Sequence, residues 1–325
     1  MSEPIRWGIL ATGTIANAFA SDLALLPDTE IAAVGSRSQE AADRFAALHG
    51  IPRSYGTWQA LADDPDVDVV YVATPHSAHH AATLACLKAG KAVLCEKPFT
   101  LDLAQAEELV EAARSGGVFL MEAMWTRCFP AIHTICGLIG DGAIGDVTAV
   151  HADFGATGDF APTHRLRARE LGGGALLDLG VYPVSFAQIM LGSPAHIEAW
   201  ARLSPEGVDE NTAMAFGYAS GAVASLTCSL IGDTPRTAAV TGTRGRIELP
   251  RDFFRPAGFT LVRGNAEPEW IATPFDGLGY HYEAAEVQRC LREGLTESPV
   301  VPLAETLAVM ATLDAVRERI GVSYA

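Results

Sequence analysis

Gly8-Ile9-Leu10-Ala11-Thr12-Gly13-Thr14-Ile15-Ala16 joins a short apolar run, residues 6–10, to a stretch where Ile15, Phe19, Leu23 and Leu26 recur with helical period until Pro27. A glycine-bearing turn between a first strand and a first helix is where a dinucleotide pyrophosphate meets helix N-terminal amides. The pattern is G-x-G-x-x-A with Ala11 in place of the first glycine, while Gly13 keeps the close backbone approach that a pyrophosphate needs. Taken alone, the same turn also serves as an ordinary strand-to-helix connection.

Outward from this turn, short apolar runs at residues 30–35, 68–73, 92–95 and 118–121 alternate with amphipathic stretches. That alternation predicts βαβ units around a parallel sheet whose strands are buried on both faces. Residues 1–125 are thus expected to form a doubly wound α/β Rossmann domain. From Val147 the segments lengthen and alternate, as in residues 147–154, 211–218 and 222–229, which predicts an α+β domain with an open, mainly antiparallel sheet over residues 126–325. Two closing helices, residues 280–294 and 302–320, are expected to pack back on the first domain.

The 325 residues suffice for about two domains of ~150 residues, and 49% hydrophobic with 19% charged residues is a globular composition. A net charge of −16 opposes approach to nucleic acid or an anionic membrane. Counting apolar runs finds none of the ~18 residues a membrane span needs, and the first residues lack a signal-peptide pattern. A cytoplasmic protein is expected. The six cysteines have no C-x-x-C or zinc-ligand spacing and read as reduced packing residues.

The second strand ends at Gly35-Ser36-Arg37-Ser38, where an NAD enzyme usually places a carboxylate for the ribose hydroxyls. Ser36 and Arg37 suit a 2′-phosphate instead, so NADP(H) is expected over NAD(H). Two further turns, Thr74-Pro75-His76-Ser77-Ala78-His79 and Glu96-Lys97-Pro98, directly follow apolar strands and fall on the carboxyl edge of the sheet, where open α/β sheets bind ligands. The tripeptide around Lys97 reads equally as a surface pair in a turn.

Together with Gly172-Gly173-Gly174-Ala175-Leu176-Leu177-Asp178-Leu179-Gly180-Val181-Tyr182, these segments resemble the glucose-fructose oxidoreductase and inositol dehydrogenase family over nearly the whole chain. Residues 121–130 and Tyr280-His281-Tyr282-Glu283 look most like its dimeric dihydrodiol dehydrogenase branch. The resemblance implies hydride transfer between nicotinamide and the carbinol or carbonyl carbon of a sugar, polyol or cyclic diol, and a homodimer. Many members have Asp-x-Gly-x-His where this chain has Asp178, Gly180 and Tyr182. The resemblance assigns proton transfer to Tyr182, with Lys97 and Asp178 in support. That is chemically consistent: alcohol oxidation needs a base for the hydroxyl proton, and an ammonium favours the phenolate of a tyrosine and steadies an oxyanion.

By the same resemblance, Ala11, Thr12, Gly13, Thr14, Ile15, Ser36, Arg37, Thr74, Pro75, His76, His79, Glu96, Lys97, Trp125 and Arg127 touch the cofactor. Trp125, Phe154 and Tyr280 join Asp178 and Tyr182 around the substrate. Family members often have Asn in place of His76. Asp178 and Tyr182, four apart, would share one face of a helix, with Pro183 as the obstacle. His76, His79 and His80 lack a second ligand cluster, so no metal is expected. Residues 164–169, a basic patch, read as a solvated loop. The rival is a non-catalytic NADP(H)-binding regulator or redox sensor, against which Lys97, Asp178 and Tyr182 argue.

Overall fold

Strands buried on both faces dominate the first hundred residues, as the apolar runs require: β4 (Val69–Val72) is buried at all of its positions, and so is β5 (Ala92–Glu96). A computed structural model describes residues 3–324. In chain order the preceding elements are β1 (Ile5–Leu10), α1 (Thr14–Leu23), β2 (Thr29–Gly35), α2 (Gln39–His49), β3 (Arg53–Tyr55) and α3 (Trp58–Ala62); α4 (His79–Lys88) lies between β4 and β5. There follow α5 (Leu103–Gly116), β6 (Leu120–Ala123), α6 (Pro130–Gly140), β7 (Val147–Gly155), α7 (Val181–Leu191), β8 (His196–Leu203), β9 (Asp209–Gly217) and β10 (Val223–Ser229). The last are β11 (Ala238–Gly242), β12 (Gly245–Leu249), β13 (Gly258–Arg263), β14 (Glu269–Ala272), α8 (Tyr280–Arg292) and α9 (Leu303–Ile320).

The chain divides into two compact units. One holds the residues through Thr100, Ala104–Cys128 and Asp276–Thr306; the other holds Leu101–Leu103, Phe129–Phe275 and the residues from Leu307 on.

In the first unit six parallel strands run in the order β3-β2-β1-β4-β5-β6. The order reverses between β1 and β4, and it is at the carboxyl ends of the strands beside such a switch point that open α/β sheets bind ligands. Phe19 of α1 stacks on Tyr71 of β4 at 3.7 Å and meets Trp7 of β1 edge-on at 5.4 Å, which fixes the first helix against the sheet. Polar caps end the helices where the sequence supplies them: Ser38 accepts from the Ala41 amide, and Gly50 closes α2 in the left-handed region. Buried Asp22 of α1 accepts from the amides of Leu278 and Tyr280 at 3.0 and 2.8 Å, capping α8 within this unit. The expected strands appear within about two residues, whereas β3 was not anticipated.

The second unit carries an eight-stranded sheet in the order β14-β13-β12-β11-β7-β10-β9-β8. β7 and β10 pair in parallel and the remaining pairs are antiparallel. Alternation along the strands buries Val150, Ala152 and Phe154 of β7 with Met214 and Phe216 of β9 on the face that α7 covers. His151, Ser225 and Trp200 lie on the other face. The helical stretch Arg169–Leu191 does reach membrane-span length at a mean hydropathy of 1.4, contrary to the count of apolar runs. With 83% of its apolar window buried, it is a core element.

Candidate active site

The first unit gathers most of the expected cofactor residues at the carboxyl ends of its strands. Ala11 follows β1 at φ 99°, a left-handed conformation costly for any residue with a Cβ, so the turn keeps a glycine-type shape although alanine occupies it. Gly13 then caps α1 without a side-chain hydrogen bond, no acid stands in the first turn, and a Cβ on Gly13 would meet nothing within 4 Å. These are open, uncapped amides of the kind that take an anion. Thr12 is half-buried and Thr14 exposed beside them, with Ile15 half-buried. Ser36 follows β2, and Arg37 is exposed with no ion-pair partner among the described residues.

The turns after β4 and β5 are tied together by His79. Its ring is 1% exposed, with Nδ1 2.8 Å from the Pro98 carbonyl and Nε2 2.9 Å from that of Thr74. Burial, then the neighbouring His76, pushes its pKa down to about 3. The neutral ring therefore donates to one carbonyl and meets the other as a close contact. His76 is buried 5.7 Å from His79, while Pro75 and Lys97 are half-buried and Pro98 is joined by a cis peptide bond.

Glu96 is buried at the end of β5, where the Tyr71 hydroxyl donates to it at 2.5 Å and the Lys97 amide at 3.1 Å. Burial first, and then the Glu96 charge, keeps the Tyr71 phenol protonated far above its ordinary range. The backbone on which Lys97 sits is thus held by a buried phenol–carboxylate pair. Trp125, 4% exposed, stacks flat on Tyr280 at 4.2 Å. Arg127 is engaged within the unit, donating to Glu305 at 3.2 Å and facing the Val300 carbonyl.

In the second unit Asp178 and Tyr182 come from one continuous element, 5% and 7% exposed. The expected shared α-helical face is corrected: Leu176–Gly180 is a π-turn, and α7 begins only at Val181. Pro183 has no N–H to give the preceding turn, so the ladder widens there. Arg165, from the basic patch, donates to Asp178 at 3.0 Å, so that patch is partly engaged with the site rather than wholly solvated.

The Tyr182 ring lies 5.3 Å from Phe154 and 5.3 Å from Phe254, which stack on each other at 4.5 Å with an interplanar angle of 4°. Phe254 escaped the sequence reading because it stands in the irregular segment between β12 and β13, with no periodicity to mark it. A groove of about 550 Å³ lined by His151, Asp153, Ser225 and Thr227 opens on the opposite face of the sheet from Phe154 and is not this site. Among the described residues no group of three or more His, Cys, Asp or Glu is placed to hold a metal ion.

Residues 5–124 match the oxidoreductase family with an NAD-binding Rossmann fold, and residues 132–248 match the GFO/IDH/MocA C-terminal domain. The chain is 41% identical to the trans-1,2-dihydrobenzene-1,2-diol dehydrogenase of Mus musculus and 39% identical to that of Homo sapiens, with 98% of each chain covered in both cases. Among solved structures it resembles KijD10, a 3-ketoreductase from Actinomadura kijaniata in complex with NADP and TDP-benzene, at 30% identity and a TM-score of 0.85 over 98% of both chains. A levoglucosan dehydrogenase complexed with NADH and levoglucosan shares the fold at 22% identity and a TM-score of 0.88, again over 98% of both chains. From its first strand through its second sheet, this chain belongs to the GFO/IDH/MocA family of oxidoreductases.

Proposed function

We propose that the protein transfers hydride between NADP(H), in preference to NAD(H), and a secondary alcohol or carbonyl of a cyclic diol, sugar or polyol. The observation that carries this reading is Tyr182: a buried phenol set against two aromatic rings, four residues after a buried, arginine-paired Asp178. Nearly full-length relatives named as diol dehydrogenases support a cyclic diol.

The residues present fit a dinucleotide, since the uncapped start of α1 and the open space at Gly13 suit a pyrophosphate. Ala11, Thr12, Gly13, Thr14 and Ile15 hold it, and Ser36 with Arg37 takes the 2′-phosphate. Thr74, Pro75, His76 and His79 form the wall beside the nicotinamide ribose, with Glu96 behind. When bound, nicotinamide supplies or accepts the hydride. Tyr182 takes the hydroxyl proton in oxidation and returns it in reduction. Lys97 donates a hydrogen bond to the oxygen as negative charge develops on it, a contribution of roughly 3 kcal/mol where such donors have been removed elsewhere. Asp178, paired with Arg165, orients the substrate, while Phe154, Trp125 and Tyr280 supply flat apolar surface for a ring.

Outward-facing Trp200, His151 and Ser225 lie on the broad second sheet, the surface we assign to a homodimer in the cytoplasm. Tyr182→Phe tests the reading, with turnover expected to fall about 100-fold or more while NADP+ affinity is unchanged. Wild-type turnover in that variant would remove Tyr182 from the chemistry.

A further inference from the structure

We propose that the segment following α9 is a strap for the catalytic element, and that Tyr324 is a positioning residue for Tyr182. The inference rests on the reading of Tyr182 as the proton-transfer residue. The Tyr324 hydroxyl donates to the Gly173 carbonyl at 2.5 Å, a contact spanning 151 positions of sequence. One residue earlier, the Ser323 carbonyl accepts from Arg169 Nε at 2.6 Å. The Arg317 guanidinium lies 5.3 Å over the Tyr324 ring. Two consecutive residues of the segment thus hold the stretch that leads into the π-turn, Ser323 at Arg169 and Tyr324 at Gly173.

The turn is shaped to be gripped. Gly174 has φ 124°, and a Cβ there would stand 2.4 Å from Asp209 Oδ1 and 3.1 Å from the Tyr324 hydroxyl. Both groups press on the space that only glycine leaves free. Asp209 is 0% exposed and accepts from the Leu176 amide at 2.8 Å and the Thr212 hydroxyl at 2.7 Å. Leu176 is the first residue of the π-turn. On its far side, a Cβ on Gly180 would meet Cys228 Sγ at 2.9 Å, so the turn has no slack against β10.

A π-turn is a poor helix on its own and depends on its surroundings. Asp209 fixes where it begins and Tyr324 fixes the loop that feeds it. Small displacements matter here because catalysis falls steeply when reacting groups move by about 1 Å.

The test compares wild type, Tyr324→Phe, a form lacking residues 322–325, Tyr182→Phe, and the double variant Tyr182→Phe/Tyr324→Phe. Turnover is measured with NADP+ and trans-1,2-dihydrobenzene-1,2-diol, and backbone hydrogen exchange is followed over residues 172–182. Tyr324→Phe should lower kcat about fivefold, equivalent to about 1 kcal/mol, with NADP+ affinity unchanged and the thermal midpoint lowered by no more than about 3 °C. The truncated form should lose more, and exchange should rise in residues 172–182 of both.

The double variant should be no slower than Tyr182→Phe, because the strap acts through that phenol. Unchanged exchange in both strap variants overturns the proposal whatever Tyr182 does, and so does raised exchange with wild-type kcat. A double variant slower than Tyr182→Phe by the full Tyr324→Phe factor also overturns it, by showing an independent effect. Full turnover in Tyr182→Phe, with raised exchange and lowered kcat in the strap variants, instead overturns the assignment of Tyr182 and leaves the strap acting on another residue of the same element.

Discussion

Glu122, near the end of β6, is 3% exposed; its Oε2 accepts from the Thr306 hydroxyl at 2.9 Å, and its Oε1 is buried without a hydrogen-bond partner among the described residues. Burial, reinforced by the nearby Glu96 charge, pushes its pKa from 4.5 up to about 7. The proton is thus held more tightly folded than unfolded. Below pH 4.5 both states carry it and there is no penalty. Between pH 4.5 and about 7 the unfolded chain releases its proton while the folded one keeps it, so stability falls by about 1.4 kcal/mol per pH unit. The total is roughly 3 kcal/mol, reached near pH 7 and constant above it.

Glu122→Gln removes the titration and keeps the acceptor for Thr306. Its buried amide adds a cost that does not change with pH, so the slope is the readout. Urea unfolding of both proteins from pH 4 to 9 should show the variant gaining about 3 kcal/mol on wild type between pH 4.5 and 7, then no more. A difference that stays flat across that window refutes the argument. Glu283, fully buried with neither carboxylate oxygen hydrogen-bonded among the described residues, is pushed in the same direction by burial and by Glu96, Glu122 and Asp22.

Arg37→Ala should raise the KM for NADP+ about 10- to 100-fold, the worth of a charge-assisted phosphate contact, and leave the KM for NAD+ unchanged. Equal changes for both cofactors in steady-state assays refute the 2′-phosphate assignment. Phe254→Ala deletes the ring that stacks on Phe154 and abuts Tyr182, so it should cost about 3 kcal/mol in urea unfolding and raise the KM for a cyclic diol but not for NADP+. Unchanged stability would place Phe254 outside the packed cluster.

The doubly wound half was legible because both-face burial leaves short apolar runs that stand out against amphipathic helices. β3 was not: three half-buried residues at the sheet edge carry no such signature. The last parallel strand runs two residues beyond its apolar run, to Ala123, because it carries a carboxylate within it, and buried Glu122 does not look like strand interior. Pro183 announced a defect in the helix bearing Asp178 and Tyr182, but only the structure identifies it as a π-turn. Asp209, Phe254 and Tyr324 were invisible for one shared reason: each acts through contacts distant in sequence, and none stands in a recognisable pattern.

One tension in the sequence is resolved by where its charges lie. A chain of net charge −16 is an unpromising host for a polyanionic dinucleotide, because its long-range field repels one. Near the proposed cofactor turns, however, the acids are withdrawn: none stands in the first turn of α1, and residues 35–38 contain none. Of those buried in the same unit, Glu122 and Glu283 are driven toward the neutral form, while Glu96 is covered by the Tyr71 hydroxyl. The exposed Arg37 and the uncapped amides after Gly13 then act over hydrogen-bond distances, where the remote acids are largely screened by salt. On the proposed reading, selection for NADP(H) on this acidic chain lies in a few short-range donors at the ends of β1 and β2, and the total charge mainly slows encounter.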